Sequence, residues 1–293
     1  MKKTLIVLAL LASFQVADAQ TNVNSAAKAV ESALAASQNE KKATKVATWM
    51  KLAQTYLDAY AAPAGNVWLG ADMNALQLSM GGEKPSSVET VTLNGAQYTK
   101  QVYENKNLYF NANGQLSVIE IVKPVVENAL PKALEAYKKA YELDEKHSKD
   151  KDISAGIKAI SEKLNQEAYN AYTLGDVKKA EEYFEAAYEA AAQKPYAQID
   201  TNSLYNAAFT SWSTENFSKA KTMFDKCLGY GYYGDGGEVF AKLSDCVSHI
   251  DTTAAGKTAA KEYLEQGFQK FPTSESIVFG LINYYMTSGE GTD

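Results

Sequence analysis

Apolar residues recur three and four positions apart along most of this chain, and polar or charged residues fill the positions between them. That period places the apolar side chains on one face of an α-helix. Gly and Pro residues mark the breaks between successive segments. The pattern predicts a helix that begins near Pro131 and further helices over residues 26–36, 43–61, 153–174, 177–192, 203–212, 217–228, 238–250, 253–271 and 274–287.

Residues 61–123 interrupt the helical period. Apolar and β-branched residues alternate there on both sides of Asn94-Gly95, a dipeptide typical of two-residue hairpin turns. Asn113-Gly114 indicates a second hairpin. The sequence therefore predicts a small antiparallel β insertion, and it leaves open whether residues 66–80 form a helix or a loop. The predicted strands are residues 88–92, 98–103, 108–110 and 116–122.

A small, a large and a small residue recur as a series at steps of four and three. Ala180, Phe184 and Ala187 form one such series, and its first residue returns as Ala220 and Ala260, each time after 40 residues. Small side chains let a neighbouring helix approach closely, and recurrence at a fixed interval indicates stacked helical hairpins. The other series are Ala133, Tyr137 and Ala140; Ala220, Phe224 and Cys227; and Ala260, Leu264 and Gly267.

These hairpins resemble the tetratricopeptide repeat family, whose first helix carries an aromatic residue, a Leu, a small residue and a Tyr. Trp49, Leu52, Ala53 and Tyr56 match that order, and the small–aromatic–small series matches the family's second helix. The family repeat is about 34 residues long, so the longer steps here imply longer connectors. The resemblance implies a mainly α-helical, right-handed solenoid of helical hairpins, here with the β insertion.

In that family the first helices line a concave groove that binds a peptide segment. The version that grips a carboxylate uses Lys and Arg, which are missing from the matching positions, so that chemistry does not carry over. Aromatic rings occupy several of the positions instead, and a groove rich in rings suits apolar or Pro-containing peptides. Ordinary packing between repeats is the alternative for each ring. The candidate groove residues are Asn165, Tyr169, Tyr172, Asn202, Tyr205, Asn206, Phe209 and Trp212.

The first 19 residues have the pattern of a secretory signal peptide. Lys2 and Lys3 precede an apolar run, and Ala17-Asp18-Ala19 offers a cleavage site before Gln20. An N-terminal core helix is the alternative. We therefore expect an exported protein, periplasmic, secreted or on the cell surface of a bacterium, with no transmembrane span after cleavage. The predicted organisation is 1–19 signal peptide, 20–60 first helices, 61–123 β insertion and 124–293 helical array.

Composition and motifs narrow the class of function further. A formal net charge of −6 provides no basic field for nucleic acid. The chain lacks a nucleophile elbow, a zinc-protease motif and a complete phosphate-binding loop, so we expect no enzyme activity, metal or cofactor. Cys227 and Cys246 leave two possibilities open, a disulfide in an exported protein or two small buried side chains.

The sequence thus predicts a protein-binding scaffold or adaptor of the bacterial envelope. The alternative is a carbohydrate or surface-polymer binding module that uses rings of the β insertion: Trp68, Tyr98, Tyr103 and Tyr109. The last predicted helix carries the apolar residues Val278, Leu281, Ile282 and Tyr285 without a following partner helix. It is expected either to cap the array or to belong to a longer one, with possible self-association through this helix.

Overall fold

A computed structural model describes residues 22–288, so the predicted signal peptide lies outside the described residues. The described chain is mainly α-helical, with one small antiparallel sheet, as the sequence predicts. Every predicted helix is present, and most observed ends lie within three residues of the predicted ones. The helices are α1 Val23–Gln38, α2 Glu40–Ala43, α3 Val46–Ala61, α4 Met73–Ser79, α5 Ala129–Leu143, α6 Asp150–Thr173, α7 Val177–Ala191, α8 Thr201–Ser213, α9 Phe217–Gly229, α10 Glu238–Ile250, α11 Ala254–Lys270 and α12 Glu275–Ser288.

The four strands follow one another across the sheet in chain order, each antiparallel to the next. Asn94 and Gly95 connect the first two strands with φ angles of 49° and 81°. Both angles are left-handed, which Asn and Gly tolerate and which matches the twist of a hairpin. The predicted hairpins are therefore confirmed. The strands are β1 Ser87–Leu93, β2 Ala96–Val102, β3 Lys106–Phe110 and β4 Leu116–Ile121.

The stretch that the sequence leaves undecided contains α4, which packs on the sheet. Asp72 caps this helix by accepting a hydrogen bond from the Ala75 amide at 2.9 Å. Leu76 then enters a small apolar core with residues from β3 and β4. The buried members of this core are Ala71, Leu76, Tyr103, Leu108, Phe110 and Leu116.

The chain divides into two compact units. Unit 1 contains the residues up to Asp176 together with Glu189–Gln198, and unit 2 contains Val177–Tyr188 and the residues from Ile199 onward. In unit 1, α5 and α6 approach closely at Gly156. A Cβ atom on Gly156 would lie 2.2 Å from Cζ of Tyr137, so this contact requires glycine.

Unit 2 contains three copies of the small–large–small series, of which the later two lie on α9 and α11. Ala220, Phe224 and Cys227 are fully buried, and Ala260 and Leu264 nearly so. A Cβ atom on Gly267 would lie 2.8 Å from Cβ of Phe240, which confirms that a small residue is needed where α10 and α11 meet. The spacing that predicts a packed helical face therefore holds in both of these copies.

Candidate protein-binding surface

The candidate groove residues of α6 belong to unit 1. Asn165, Tyr169 and Tyr172 follow one another at steps of four and three, and all three are half-buried. The backbone carbonyl of Tyr172 accepts a hydrogen bond from Nδ2 of Asn94 at 2.9 Å, which ties the β1–β2 turn to the end of this helix. Burial raises the pKa of the Tyr172 hydroxyl. These rings are accessible only in part.

The candidate groove residues of α8 belong to unit 2, and three of the five are buried. Tyr205 is 2% exposed, Asn206 2% and Phe209 4%. The Tyr205 ring packs 5.9 Å from the ring of Phe224 and 5.5 Å from that of Tyr232. These three side chains are therefore largely covered in the structure, as the packing alternative expects, and their place in a binding groove stays a prediction.

A carboxylate from α10 completes the burial of Tyr205. Its hydroxyl donates a hydrogen bond to Oε1 of Glu238. Burial, followed by the charge of Glu238, raises the pKa of the Tyr205 hydroxyl. The tyrosine therefore stays protonated, and it acts as a packing and hydrogen-bonding residue between α8 and α10.

Trp212 and Asn202 are the α8 candidates that remain accessible. Asn202 is exposed and Trp212 half-buried. The indole Nε1 of Trp212 donates a hydrogen bond of 2.6 Å to Oδ2 of Asp245, and Nζ of Lys242 lies 4.0 Å from the ring centroid. These contacts hold the indole in one orientation, as a rigid binding residue requires.

The charged residues of α10 are functional candidates that the sequence analysis missed. Glu238 accepts a hydrogen bond from Tyr205, and Asp245 accepts one from Trp212. The Lys242 ammonium lies 4.7 Å from the centroid of the Phe209 ring. Each charged residue follows its ring by 33 positions. A search for charges 33 positions after each ring would have found them. Members of each set are spaced four and three apart, so the two sets face each other along neighbouring helices.

His249 extends this surface by one helical turn. Its ring stacks on Phe217 with 4.1 Å between the centroids, and its Nδ1 donates to the backbone carbonyl oxygen of Asp245 at 2.8 Å. The imidazole is exposed. We call Asn202, Trp212, Lys242, Asp245 and His249 the α8–α10 surface. It offers an indole, an imidazole, both signs of charge and an amide to a ligand.

The rings of the β insertion divide between exposed and buried positions. Trp68 is 50% exposed and Tyr98 half-buried, whereas Tyr103 and Tyr109 are 7% and 5% exposed. The Tyr109 hydroxyl donates to Oε2 of Glu120 at 2.6 Å. The expectation that Tyr103 and Tyr109 stack on a sugar is therefore wrong, because their faces lie within the unit.

The two cysteines are free thiols, and both are fully buried in unit 2. Burial raises the pKa of Cys227 to about 12, and burial also raises that of Cys246 to about 12. A thiol that keeps its proton is a poor nucleophile and a poor metal ligand. Of the two possibilities that the sequence left open, the structure has the small buried side chains.

Two cavities lie outside the α8–α10 surface. One of about 400 Å³ in unit 1 is lined by α1, α3 and α5, including Trp49 and Tyr56. The other, of about 500 Å³ in unit 2, is lined by α9, α10 and α11. There Nζ of Lys221 donates to Oδ2 of Asp225 at 2.7 Å, so its charge is already paired.

Comparisons with known proteins identify no relative: no protein-family model matches the chain, and no characterised sequence shows significant similarity to it. Among residues 22–288, no helix combines the length and the apolar character that a membrane span requires. Within the same residues, no cluster of three or more His, Cys, Asp or Glu side chains is arranged to hold a metal ion.

Proposed function

We propose that this chain is a non-catalytic, protein-binding scaffold of the tetratricopeptide type. Its hairpins would stack as a right-handed solenoid with the first helix of each pair, such as α8 and α10, on the binding side. One observation carries the proposal. The two helices set three rings against three charged residues at a constant separation of 33 positions, close to the family repeat.

The proposed ligand is an extended protein segment that lies across the α8–α10 surface. Trp212 provides the apolar contact, and its ring suits an apolar or Pro-containing side chain. Lys242 and Asp245 flank that ring. A ligand segment with charged residues on both sides of the apolar residue could therefore form ion pairs with them. The signal-peptide pattern of residues 1–19 supports export, so the proposed location is periplasmic, secreted or at the cell surface of a bacterium.

The decisive experiment compares two tryptophans, one in each unit. Peptides with a central Pro or aromatic residue and flanking charges would be screened for binding to the purified protein by fluorescence anisotropy. Trp212→Ala is expected to weaken the best peptide by about 2 kcal/mol, roughly 30-fold. Trp68→Ala, which removes the exposed ring of unit 1, is expected to leave the affinity unchanged.

Two controls separate a loss of binding from a loss of folding in this experiment: the variant Trp212→Phe and a measurement of the folded fraction. Trp212→Phe keeps a ring over Lys242 but loses the donor to Asp245, so it reports whether the hydrogen bond or the ring face carries the binding. Affinities are compared per folded molecule, from circular dichroism and thermal melts. Equal loss of binding and of folded fraction in Trp212→Ala would show that the indole only packs.

Carbohydrate binding by the β insertion is the second candidate, and Trp68 is the observation that favours it. An indole at 50% exposure is a suitable platform for a sugar ring. The burial of Tyr103 and Tyr109 leaves only Trp68 and Tyr98 for this role. A glycan array with the same two variants tests it, because here Trp68→Ala is the variant expected to lose binding.

Two finer proposals follow from the repeat architecture. Asn165, Tyr169 and Tyr172 of unit 1 would bind a ligand as the corresponding positions of an earlier repeat. The exposed apolar residues of α12 would support self-association. Double variants at Tyr169 and Tyr172 test the first of these in the peptide assay, and light scattering of an α12 variant tests the second.

A further inference from the structure

The outer edge of β1 has no backbone partner among residues 22–288. β1 pairs with β2 along its whole length, from Ser87 with Val102 to Leu93 with Ala96. It is the first strand in the sheet order, so its other side faces away from the sheet. Backbone N–H and C=O groups alternate in direction along a strand, so every second residue of β1 points both groups outward.

The register of the hairpin identifies these residues. The turn at Asn94-Gly95 is closed by the pair Leu93 and Ala96, and in a two-residue hairpin this closing pair exchanges hydrogen bonds. Residues at even positions of β1 therefore direct their N–H and C=O groups to the open edge. These residues are Val88, Thr90 and Thr92, and all three are exposed.

β1 also lacks the features that usually protect an edge strand. Natural edges carry Lys, Pro or a bulge, or are very short. β1 has seven residues, of which none is Lys or Pro, and its pairing with β2 runs without a register shift. Val88 is 59% exposed at this edge. An edge of this kind is a template for another strand.

We propose that the outer edge of β1 pairs antiparallel with β1 of a second copy of this chain. The strand is complementary to itself about Thr90. With Thr90 opposite its own symmetry mate, Val88 lies opposite Thr92 and Glu89 lies opposite Val91. The pairs of even residues each exchange two hydrogen bonds, as an antiparallel ladder requires. The two four-stranded sheets become one eight-stranded sheet with a two-fold axis.

Charge does not oppose a second copy as the occupant. Glu89 is the only charged residue of β1, and in this register it faces an apolar residue instead of the other Glu89. No like charges are therefore opposed across the pair, although the whole chain has a net charge of −6. Pairing of two β1 strands also limits the assembly to a dimer, because it uses the open β1 edge of each copy.

The assignment makes a specific prediction about distance. Residues directly opposite each other in a hydrogen-bonded pair have Cα atoms about 5.5 Å apart, within the range that a disulfide spans. Thr90→Cys is therefore expected to form a disulfide-linked dimer under mild oxidation. Thr92→Cys is the matched control. Two copies of residue 92 would lie four residues apart along the ladder, roughly 13 Å, and should crosslink at least tenfold more slowly. The native thiols are buried and do not compete.

A second pair of variants tests the hydrogen bonds. Thr90→Pro removes an outward N–H without breaking a bond to β2, a place where an edge strand accepts Pro. Thr90→Val retains the N–H. Analytical ultracentrifugation over a concentration series is expected to show a monomer–dimer equilibrium for the wild type and for Thr90→Val. It should show at least a tenfold weaker dimer for Thr90→Pro. Circular dichroism checks that each variant is folded.

Three results would overturn the proposal. The first is a wild-type protein that is monomeric at every concentration, which would leave the edge to another protein or to solvent. The second is a dimer that persists in folded Thr90→Pro, which would assign self-association to another surface such as α12. The third is equal crosslinking of Thr90→Cys and Thr92→Cys. None of these results bears on peptide binding at the α8–α10 surface, so the two proposals fail separately.

Discussion

The two edge strands of the sheet, β4 and β1, differ in whether other residues of unit 1 hydrogen-bond to their outer backbone groups. At the β4 edge, the amide of Gly70 donates to the carbonyl of Leu116, and the amide of Leu116 donates to that of Ala71, both at 2.8 Å. Nδ2 of Asn170, on α6, donates to the carbonyl of Ile119 at 3.1 Å. At the β1 edge, no described residue pairs with the outward backbone groups.

This difference shows that an edge strand is closed or open according to whether another segment hydrogen-bonds to its backbone. The amino-acid composition of the strand does not decide it. Both strands contain β-branched residues and neither contains Pro. β4 is closed because the chain before α4 and a side chain from α6 reach its backbone. β1 is open because nothing of this kind reaches it. Each prediction below compares a covered group with an uncovered one.

The largest expected effect is at the covered edge of the sheet. Leu116 is 1% exposed, so Leu116→Ala removes packed methyl groups and is expected to lower the free energy of unfolding by about 2–5 kcal/mol. Val88→Ala at the open edge is expected to change it by less than about 0.5 kcal/mol. Urea unfolding monitored by circular dichroism measures both. Similar losses would mean that the β1 edge is covered after all.

The same contrast exists between two faces of α12. Ile277 is fully buried against Phe240 and Leu264, whereas Phe279 is 67% exposed. Ile277→Ala is expected to cost about 2 kcal/mol, the lower end for such a substitution, because α12 is packed on one side only. Phe279→Ala should be nearly neutral for stability. If Phe279→Ala instead dissociates an oligomer in light scattering, the proposed self-association through α12 is supported over pairing at β1.

A smaller effect is expected from the polar closure of β4. Asn170 is 5% exposed, and its amide bonds both Ile119 and Gln166. Asn170→Ala leaves the Ile119 carbonyl without this donor and is expected to cost about 1–3 kcal/mol. Thr90→Ala, which removes an exposed side chain from the open edge, is the control. Hydrogen exchange of the β4 amides measures the local effect, and unchanged protection would contradict the assigned closing role.

The last prediction concerns the thiols, whose effect is negligible at neutral pH and grows as the pH rises. In the unfolded chain a cysteine ionises near about pH 8.5, whereas burial holds the pKa values of Cys227 and Cys246 near 12. The unfolded state therefore loses protons first, and the free energy of unfolding should fall as the pH rises from about 8.5 towards 12. A variant with Ala at both positions should show a shallower decline.

Reactivity with a thiol reagent extends that comparison to the sheet. At neutral pH the two native thiols should react only after unfolding, while a cysteine placed at Thr90 should react at once. A count of two free thiols in denatured, unreduced protein is also expected. Rapid labelling of Cys227 in the native protein would show that α9 opens readily.

Local sequence was sufficient for most of the elements, although not for α2 and α4. The three-and-four spacing located the helices, Asn94-Gly95 located the first hairpin, and the small–large–small series identified Ala220, Phe224 and Cys227 as a buried face. These features depend on residues within one or two turns of each other. Spacing therefore determines which side chains share a face, and it does so without reference to the rest of the chain.

Only the tertiary structure decided which of those faces remain accessible. Tyr205, Phe209 and Trp212 share one face of α8, yet Tyr205 and Phe209 are buried and Trp212 is not. The contacts that bury Tyr205 come from Phe224 on α9 and Glu238 on α10, 19 and 33 positions away. The open edge of β1 and the closed edge of β4 differ for the same reason, since Asn170 lies 51 positions from Ile119. A periodic pattern carries no information about which distant segment covers a face, because coverage depends on contacts that form only when the chain is folded.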